Sequence, residues 1–374
     1  MIKKDVKTNL LSHSEAKVRL LGEYIKKYLN VICNDGFTQR IRLYDLFCGE
    51  GVYDNGGEGS PIVLLKAIAE TYKNGQETNR FIPKIDCYFN DIEHGKVDKL
   101  KDIIEKKSLY DSQCGQLSFS SEDYVNEVQF LQQTLKSLKN EKAFIFIDPY
   151  GYKGIRASQI NELMKNKNAE VLLWLPTQHM YRFAENGTPE SLFDFLDEFK
   201  DLDREDSRKN VINFIKQLNN GFQNSIGNDY FVDNFSIKKD ENTVFCLYFF
   251  TSHIKGFEKM METKWEIDSE FGSGWEYSGN PPSLFNDYKT NEFESKLKTY
   301  LKQERRFNGD VYEFTLRQKY LPKHTNQIFE SWQDNNLLDV HLYSGEKARK
   351  KSFYVKYFKK NDLDNQKVYF KIKQ

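Results

Sequence analysis

The stretch FIFIDPYGYKGI, residues 144–155, ends an apolar run in Asp148-Pro149-Tyr150-Gly151. A carboxylate, a proline carbonyl and an aromatic ring, in that order, can hold an amino group borne by a planar ring. The nitrogen lone pair of such an amine is delocalised into the ring, so the amine is a poor nucleophile. Two acceptors for its N–H protons favour the tetrahedral nitrogen, and the aromatic side chain stacks on the extruded base. Asp148, Pro149 and Tyr150 are therefore the candidate catalytic residues. The remaining requirement is placement of the amine in line with the atom it attacks, without a covalent intermediate. The plainer alternative is an Asp-Pro turn that only stops a strand.

A second group of residues could supply the other reactant. LYDLFCGEGVYDNGGEGSP (43–61) places Asp45, Phe47, Gly49 and Gly51 after an apolar run. The two glycines permit positive φ and let the backbone approach a ligand where a Cβ would collide. A nicotinamide-cofactor loop would need a third glycine where Asp54 stands, and a P-loop would need GK[ST]; neither is present. The loop resembles the D-x-F-x-G-x-G loop of S-adenosyl-L-methionine (SAM) methyltransferases, which makes Asp45, Phe47, Gly49 and Gly51 candidate cofactor residues. YFNDIE puts Asp91 at a strand end, where a carboxylate can bind ribose hydroxyls. Glu93 is the alternative there, and a carboxylate at a helix start is the plainer reading of it. SSEDY puts Asp123 where it contacts adenine or caps the next helix. Amine methyltransferases usually read DPPY or NPPY where this chain reads DPY, though tRNA guanine-dimethylating enzymes carry a DPFG-like form. DLFCGEG also resembles the opening of the cytosine-carbon methyltransferases. Those need a Pro-Cys nucleophile, and no Pro-Cys dipeptide occurs in the chain.

Both groups must be carried by elements that bring them to one place. Helical spacing of Val18, Leu20, Leu21, Tyr24, Ile25 and Leu29 predicts an amphipathic helix over 14–32. Strands then alternate with helices five times: IRLYDLF, 85–92, the weaker GQLSFSSEDY, 142–150 and 169–177. That alternation calls for a parallel sheet with helices on both faces. A helical insertion over about 179–226 and a closing pair of strands, YFVDNFSIKK and TVFCLYFFTS, complete a Rossmann-like α/β domain with a seven-stranded mixed sheet. The expected domains are 1–270, a Gly/Ser/Pro-rich linker at 271–288, and 289–374. Helix, helix, helix and hairpin in the last segment is the plan of a winged helix.

Net charge is zero over 374 residues, yet residues 301–374 hold sixteen Lys and Arg against nine Asp and Glu. Within SGEKARKKSFYVKYFKK (344–360), Lys347, Arg349, Lys350 and Lys351 would form a basic wing, interleaved with Phe353, Tyr354, Tyr357 and Phe358. DNA or RNA is the expected partner of that face, and protein docking is the other use of such a module. Five scattered cysteines without a CxxC pair give no zinc or disulfide framework. No apolar run approaches the roughly 18 residues of a membrane span, and a cytoplasmic protein is expected.

HSEAKVRLLGEYIKKYL, DLFCGEGVYDNGGEGSPIVLLKAI, FNDIE, FIFIDPYGYKGI, LLWLPTQHMYRF and FFTSHIKGFEKMME together resemble the three-Cys-motif partner protein family (TcmP) over most of residues 13–265. The family is a bacterial group of methyltransferase-like proteins. The resemblance implies SAM as cofactor and a separately encoded, radical-SAM-like partner with a three-cysteine motif. It places His13 and Lys17 near the cofactor cleft, on substrate or on the methionine carboxylate, sets Gly59-Ser60-Pro61 over the cofactor, and gives Cys48 no catalytic role. Arg182 is a candidate phosphate ligand. Two functions follow. One is a SAM-dependent methyltransferase acting on an exocyclic amine of a nucleic-acid base. The other is a non-catalytic scaffold or nucleic-acid-binding partner of a radical-SAM-like protein in a mobile-element or defence system.

Overall fold

The run Ala143–Ile147 has no polar side chain on either face of its pleat, which a strand tolerates only when both faces are covered. The computed structural model describes residues 12–185, 190–199, 203–268, 272–276, 289–357 and 366–373. Helix α1 (Ser12–Ile32) leads into five parallel strands: β1 (Arg40–Asp45), β2 (Lys84–Asn90), β3 (Leu117–Ser120), β4 (Glu141–Ile147) and β5 (Ala169–Leu175). Their crossovers are α2 (Ser60–Glu77), α3 (His94–Lys106), α4 (Tyr124–Ser137) and α5 (Ala157–Met164). After β5 come α6 (Thr177–Glu185), α7 (Glu190–Asp197), α8 (Arg204–Ser207) and α9 (Val211–Ile226), then β6 (Phe231–Asp240) and β7 (Thr243–Thr251). β7 lies antiparallel between β5 and β6.

Side-chain alternation along β4 sorts the core into two layers. Ala143, Ile145 and Ile147 join Val128 and Leu131 of α4, Ile160 and Leu163 of α5, and Phe214 and Leu218 of α9. Phe144 points the other way, 5.8 Å from the rings of Tyr24 and Tyr28 on α1. On that same side Glu170 of β5 is buried, accepting from the hydroxyls of Tyr24 and Thr251. Burial pushes its carboxyl up to about 7.

Two expectations are corrected in this unit. The sheet has eight strands in the order β3-β2-β1-β4-β5-β7-β6-β8, because β8 (Gly274–Glu276) pairs with β6. Residues 274–276 had read as linker; glycine and serine around Trp275 masked a three-residue strand whose register a neighbour sets. The rest of that linker, 277–288, lies outside the described residues. The chain also divides elsewhere than expected: residues 1–253 and 273–284 form one unit, and 254–272 with 285–374 the other. Helix α10 (Ile254–Ile267) thus belongs to the second unit, where Trp265 packs on Tyr320 and on His324.

The second unit adds α11 (Lys289–Gln303), β9 (Arg306–Phe307), α12 (Asn308–Arg317), α13 (Pro322–Asp334), β10 (Leu338–Leu342) and β11 (Val368–Ile372), with an antiparallel sheet ordered β10-β11-β9. The expected hairpin differs: β10 pairs with 368–372, not with the stretch around 352–360. Phe353 and Val355 alternate as a strand would, but they are buried without ladder partners, and Phe353 sits edge-on to Phe329 at 5.3 Å. Phe358 lies outside the described residues. No described helix is long and apolar enough to cross a membrane.

Candidate active site

Strand order reverses between β1 and β4, and in open α/β sheets ligands bind outside the carboxyl ends of strands at such a point. A cavity of about 530 Å³ opens there, a size that suits a cofactor-sized ligand. Its floor and one rim are the loop Phe47–Asp54 with Gly59 and Ser60; the other rim is Asp148, Pro149 and Tyr150. α1 supplies His13, Ser14 and Lys17, and β5 and β7 supply Trp174 and Phe245. The two motifs singled out in the sequence therefore line one cavity.

The loop has its shape because of its glycines. Gly49 has φ +60° and open space where a Cβ would point. Gly51 has φ +77°, and a Cβ there would lie 2.5 Å from Leu100 Cδ1 of α3. Gly59 N–H donates to the Gly51 carbonyl at 2.8 Å, closing the loop just before α2. Asp91 fastens the loop from below: Oδ2 accepts the Gly49 N–H at 3.1 Å and Oδ1 the Glu93 N–H at 2.9 Å. It is buried and does not line the cavity, so the expected ribose carboxylate is here a backbone clamp.

Asp45 ends β1 beneath the loop, fully buried. Oδ1 accepts the Phe47 N–H at 3.3 Å, whereas Oδ2 has no hydrogen-bond partner. Burial pushes its carboxyl up to about 7, the Asp148 charge adds to this, and the Ser60 hydroxyl and Lys17 oppose it. Phe47 packs on Tyr124 with ring centroids 5.4 Å apart.

Asp148 accepts a hydrogen bond from Lys17 Nζ across the cavity. Tyr150 is 65% exposed at the mouth, and its hydroxyl accepts from Lys96 at 2.9 Å. Opposite lies a stack: His13 faces Phe245 at 5.4 Å and 7°, Phe245 faces Trp174 at 4.9 Å and 16°, and Lys17 Nζ sits 4.9 Å from the Trp174 ring. Burial, with Lys239 and Lys17 nearby, holds His13 down at about 4, so its ring is neutral at physiological pH. Cys48 is buried and burial pushes its thiol well up, which leaves it a poor nucleophile.

Other candidates lie elsewhere. Asp123 caps α4 by accepting the Val125 N–H at 2.8 Å and does not line the cavity. Arg182 donates to the Asn242 carbonyl at the β6–β7 turn at 2.7 Å, so it serves the hairpin and not the cavity. In the second unit Lys347, Lys350 and Lys351 pair with Asp339, Asp334 and Glu330, and Arg349 is exposed. Sequence reasoning missed Trp174, Phe245, Tyr53 and Lys96 as lining residues. Trp174-x-Pro176 at the end of β5 was the available signal, since a strand that ends beside β4 must deliver its last side chains to the same crevice. Phe245 carried no comparable mark.

No protein-family model matches the chain, and no curated protein matches it. Among solved structures, the chain is similar to an O-methyltransferase from Bacillus cereus in complex with SAH, at 13% identity over 67% of this chain and 92% of that one, with a TM-score of 0.35. A presumed rRNA methylase from Clostridium thermocellum aligns at 8% identity over 64% and 97%, TM-score 0.31. Loganic acid methyltransferase with SAH aligns at 8% identity over 62% and 77%, TM-score 0.28.

Proposed function

We propose that the chain is a SAM-dependent methyltransferase acting on an exocyclic amine of a nucleic-acid base. The observation that carries this is the shared cavity: the Gly49–Gly51 loop and Asp148-Pro149-Tyr150 face each other at the β1/β4 switch point. The cavity residues fit the cofactor. Gly49 leaves open space for it, and Asp45, buried beneath the loop and outside the cavity lining, can act on a ligand's charged group only through that loop. When bound, SAM supplies an electrophilic methyl group on a sulfonium. Asp148 and the Pro149 carbonyl accept the amine protons, Tyr150 stacks on the base, and the Trp174–Phe245 wall excludes water. Asp148 would also take the proton that the amine gives up on methylation.

The second unit supports a nucleic-acid reading of substrate. After α10, its order of helix, short strand, two helices and a strand pair is compatible with a winged-helix plan, and its lysine pairs are exposed ones that phosphate can replace at little cost. A second reading, a non-catalytic partner of a radical-SAM-like three-cysteine protein as in the TcmP resemblance, is favoured by Lys17, which already occupies Asp148. Incubation with methyl-tritiated SAM and cellular DNA, RNA and protein fractions separates the two. Label in one nucleic-acid fraction that vanishes with Asp148→Ala supports the enzyme. No label in any fraction, together with co-purification of an iron–sulfur protein, supports the partner.

A further inference from the structure

The Lys17–Asp148 pair is an unusual thing to find at the place where an amine is to be held. Lys17 comes from α1 and its side chain is 9% exposed; Asp148 comes from the end of β4 at 18%. Both line the cavity, and the ammonium is steadied 4.9 Å from the Trp174 ring. A carboxylate offers about four lone-pair sites and an ammonium three donors. With Lys17 on Oδ2, the pair presents a hydrogen-bond acceptor and a hydrogen-bond donor side by side.

We propose that Lys17 is a specificity-determining residue: Asp148 accepts from the exocyclic amine while Lys17 donates to the ring nitrogen beside it, so that the pair fits the pairing edge of adenine or cytosine and not that of guanine. This rests on the amine-methyltransferase reading above. On the pairing edge of adenine the N6 amine adjoins N1, an acceptor, and on cytosine the N4 amine adjoins N3, also an acceptor. On the pairing edge of guanine the N2 amine adjoins N1–H, a donor; its other ring neighbour, the acceptor N3, lies off that edge on the sugar side. An ammonium set against that N–H leaves two donors buried face to face, a costly arrangement. A lysine that only neutralised Asp148 would be indifferent to the ring nitrogen.

The test uses the full-length protein with methyl-tritiated SAM and single-stranded ribo- and deoxyoligonucleotides carrying one target base. Matched oligonucleotides carry 1-deazaadenine or 3-deazacytosine, in which the ring acceptor is a C–H. Label is expected on adenine or cytosine and not on guanine. The deaza base should lower kcat/KM by about 10–100-fold, the worth of one hydrogen bond from a charged donor. Lys17→Met should lose a similar factor on the natural base and no longer distinguish it from the deaza base, and Lys17→Arg should recover part of the discrimination. Calorimetric SAM affinity of Lys17→Met shows whether the loss lies in cofactor binding instead. Label on guanine, or equal rates for natural and deaza bases with the unmodified protein, overturns the Lys17 assignment alone. Absence of label on every nucleic acid overturns the amine reading and this inference with it.

Discussion

Asp45 and Glu170 are carboxyls that the fold holds up at about 7, both chiefly through burial. The sign follows from linkage. A group with a raised folded pKa binds more protons folded than unfolded, so its contribution is full below its unfolded pKa and is lost as pH rises through the folded one. Stability of the ligand-free protein should therefore fall as pH rises from about 4 to 7 on account of these two groups. His13, held down at about 4, works oppositely but only below its unfolded value of 6.5. Thermal melts from pH 5 to 8 should show a melting temperature that declines up to about pH 7 and levels off above it, and Glu170→Gln should flatten the decline; an unchanged slope in that variant would show that another group is responsible. Asp45→Asn should raise the ligand-free melting temperature at pH 8 yet weaken SAM binding about tenfold or more, because the buried charge is a stability cost kept for a ligand. Calorimetry against SAM reads the second half; undiminished affinity would remove Asp45 from the cofactor site. At this scale Lys17, His13 and Asp148, singled out in the sequence, line the cavity, whereas Asp45 is buried beneath its loop. It could not tell that Asp91 and Asp123 spend their oxygens on backbone N–H groups, since a carboxylate at a strand end looks the same whether it faces a ligand or a loop.

The glycine loop is where element geometry decides function. Gly51→Ala meets both a positive φ and a Cβ contact with Leu100, so a cost of about 1–3 kcal/mol for the backbone strain is expected before the clash is counted. Adding Leu100→Ala should relieve the clash but not the strain, so denaturant melts of the pair should place the double variant's backbone-strain deficit still within that range after allowing for the lost leucine. Full recovery would mean that packing alone fixes the glycine. Parallel strands and their helices were legible because each strand is a short apolar run and each helix an amphipathic one. β8 was not, since three residues carry no periodicity and its place is set by the edge of β6. The false strand near Phe353 has the converse cause: alternation reports which side is buried, and a loop pressed on a helix alternates as readily as a strand in a ladder.

Over the whole molecule, the chain passes from the first unit to the second at α10, returns for β8, and leaves again. A chain cut at residue 286 thus keeps α10 without α11–α13 and bares Phe257, Met260, Met261 and Trp265, so we expect it to aggregate, as size-exclusion chromatography would reveal; a well-behaved monomer would argue that α10 does not need those helices. The basic face is better tested intact. On the nucleic-acid reading proposed above, replacing Lys347, Arg349, Lys350 and Lys351 with Gln should weaken binding across sequences and lower the salt dependence by about 1 per lost phosphate contact, measured by anisotropy over a salt series. An unaltered slope would place the contact elsewhere.

β8 is translated only after the helix that leaves for the other unit. On the ribosome the flank of β6 stays unzipped until residue 276 has emerged, some twenty-five residues after β7 ends. For that interval the nascent sheet offers a bare ribbon of amide and carbonyl groups to any neighbouring strand. Crowding of nascent chains during that interval would favour mispairing along the stretch of β6 that β8 later covers.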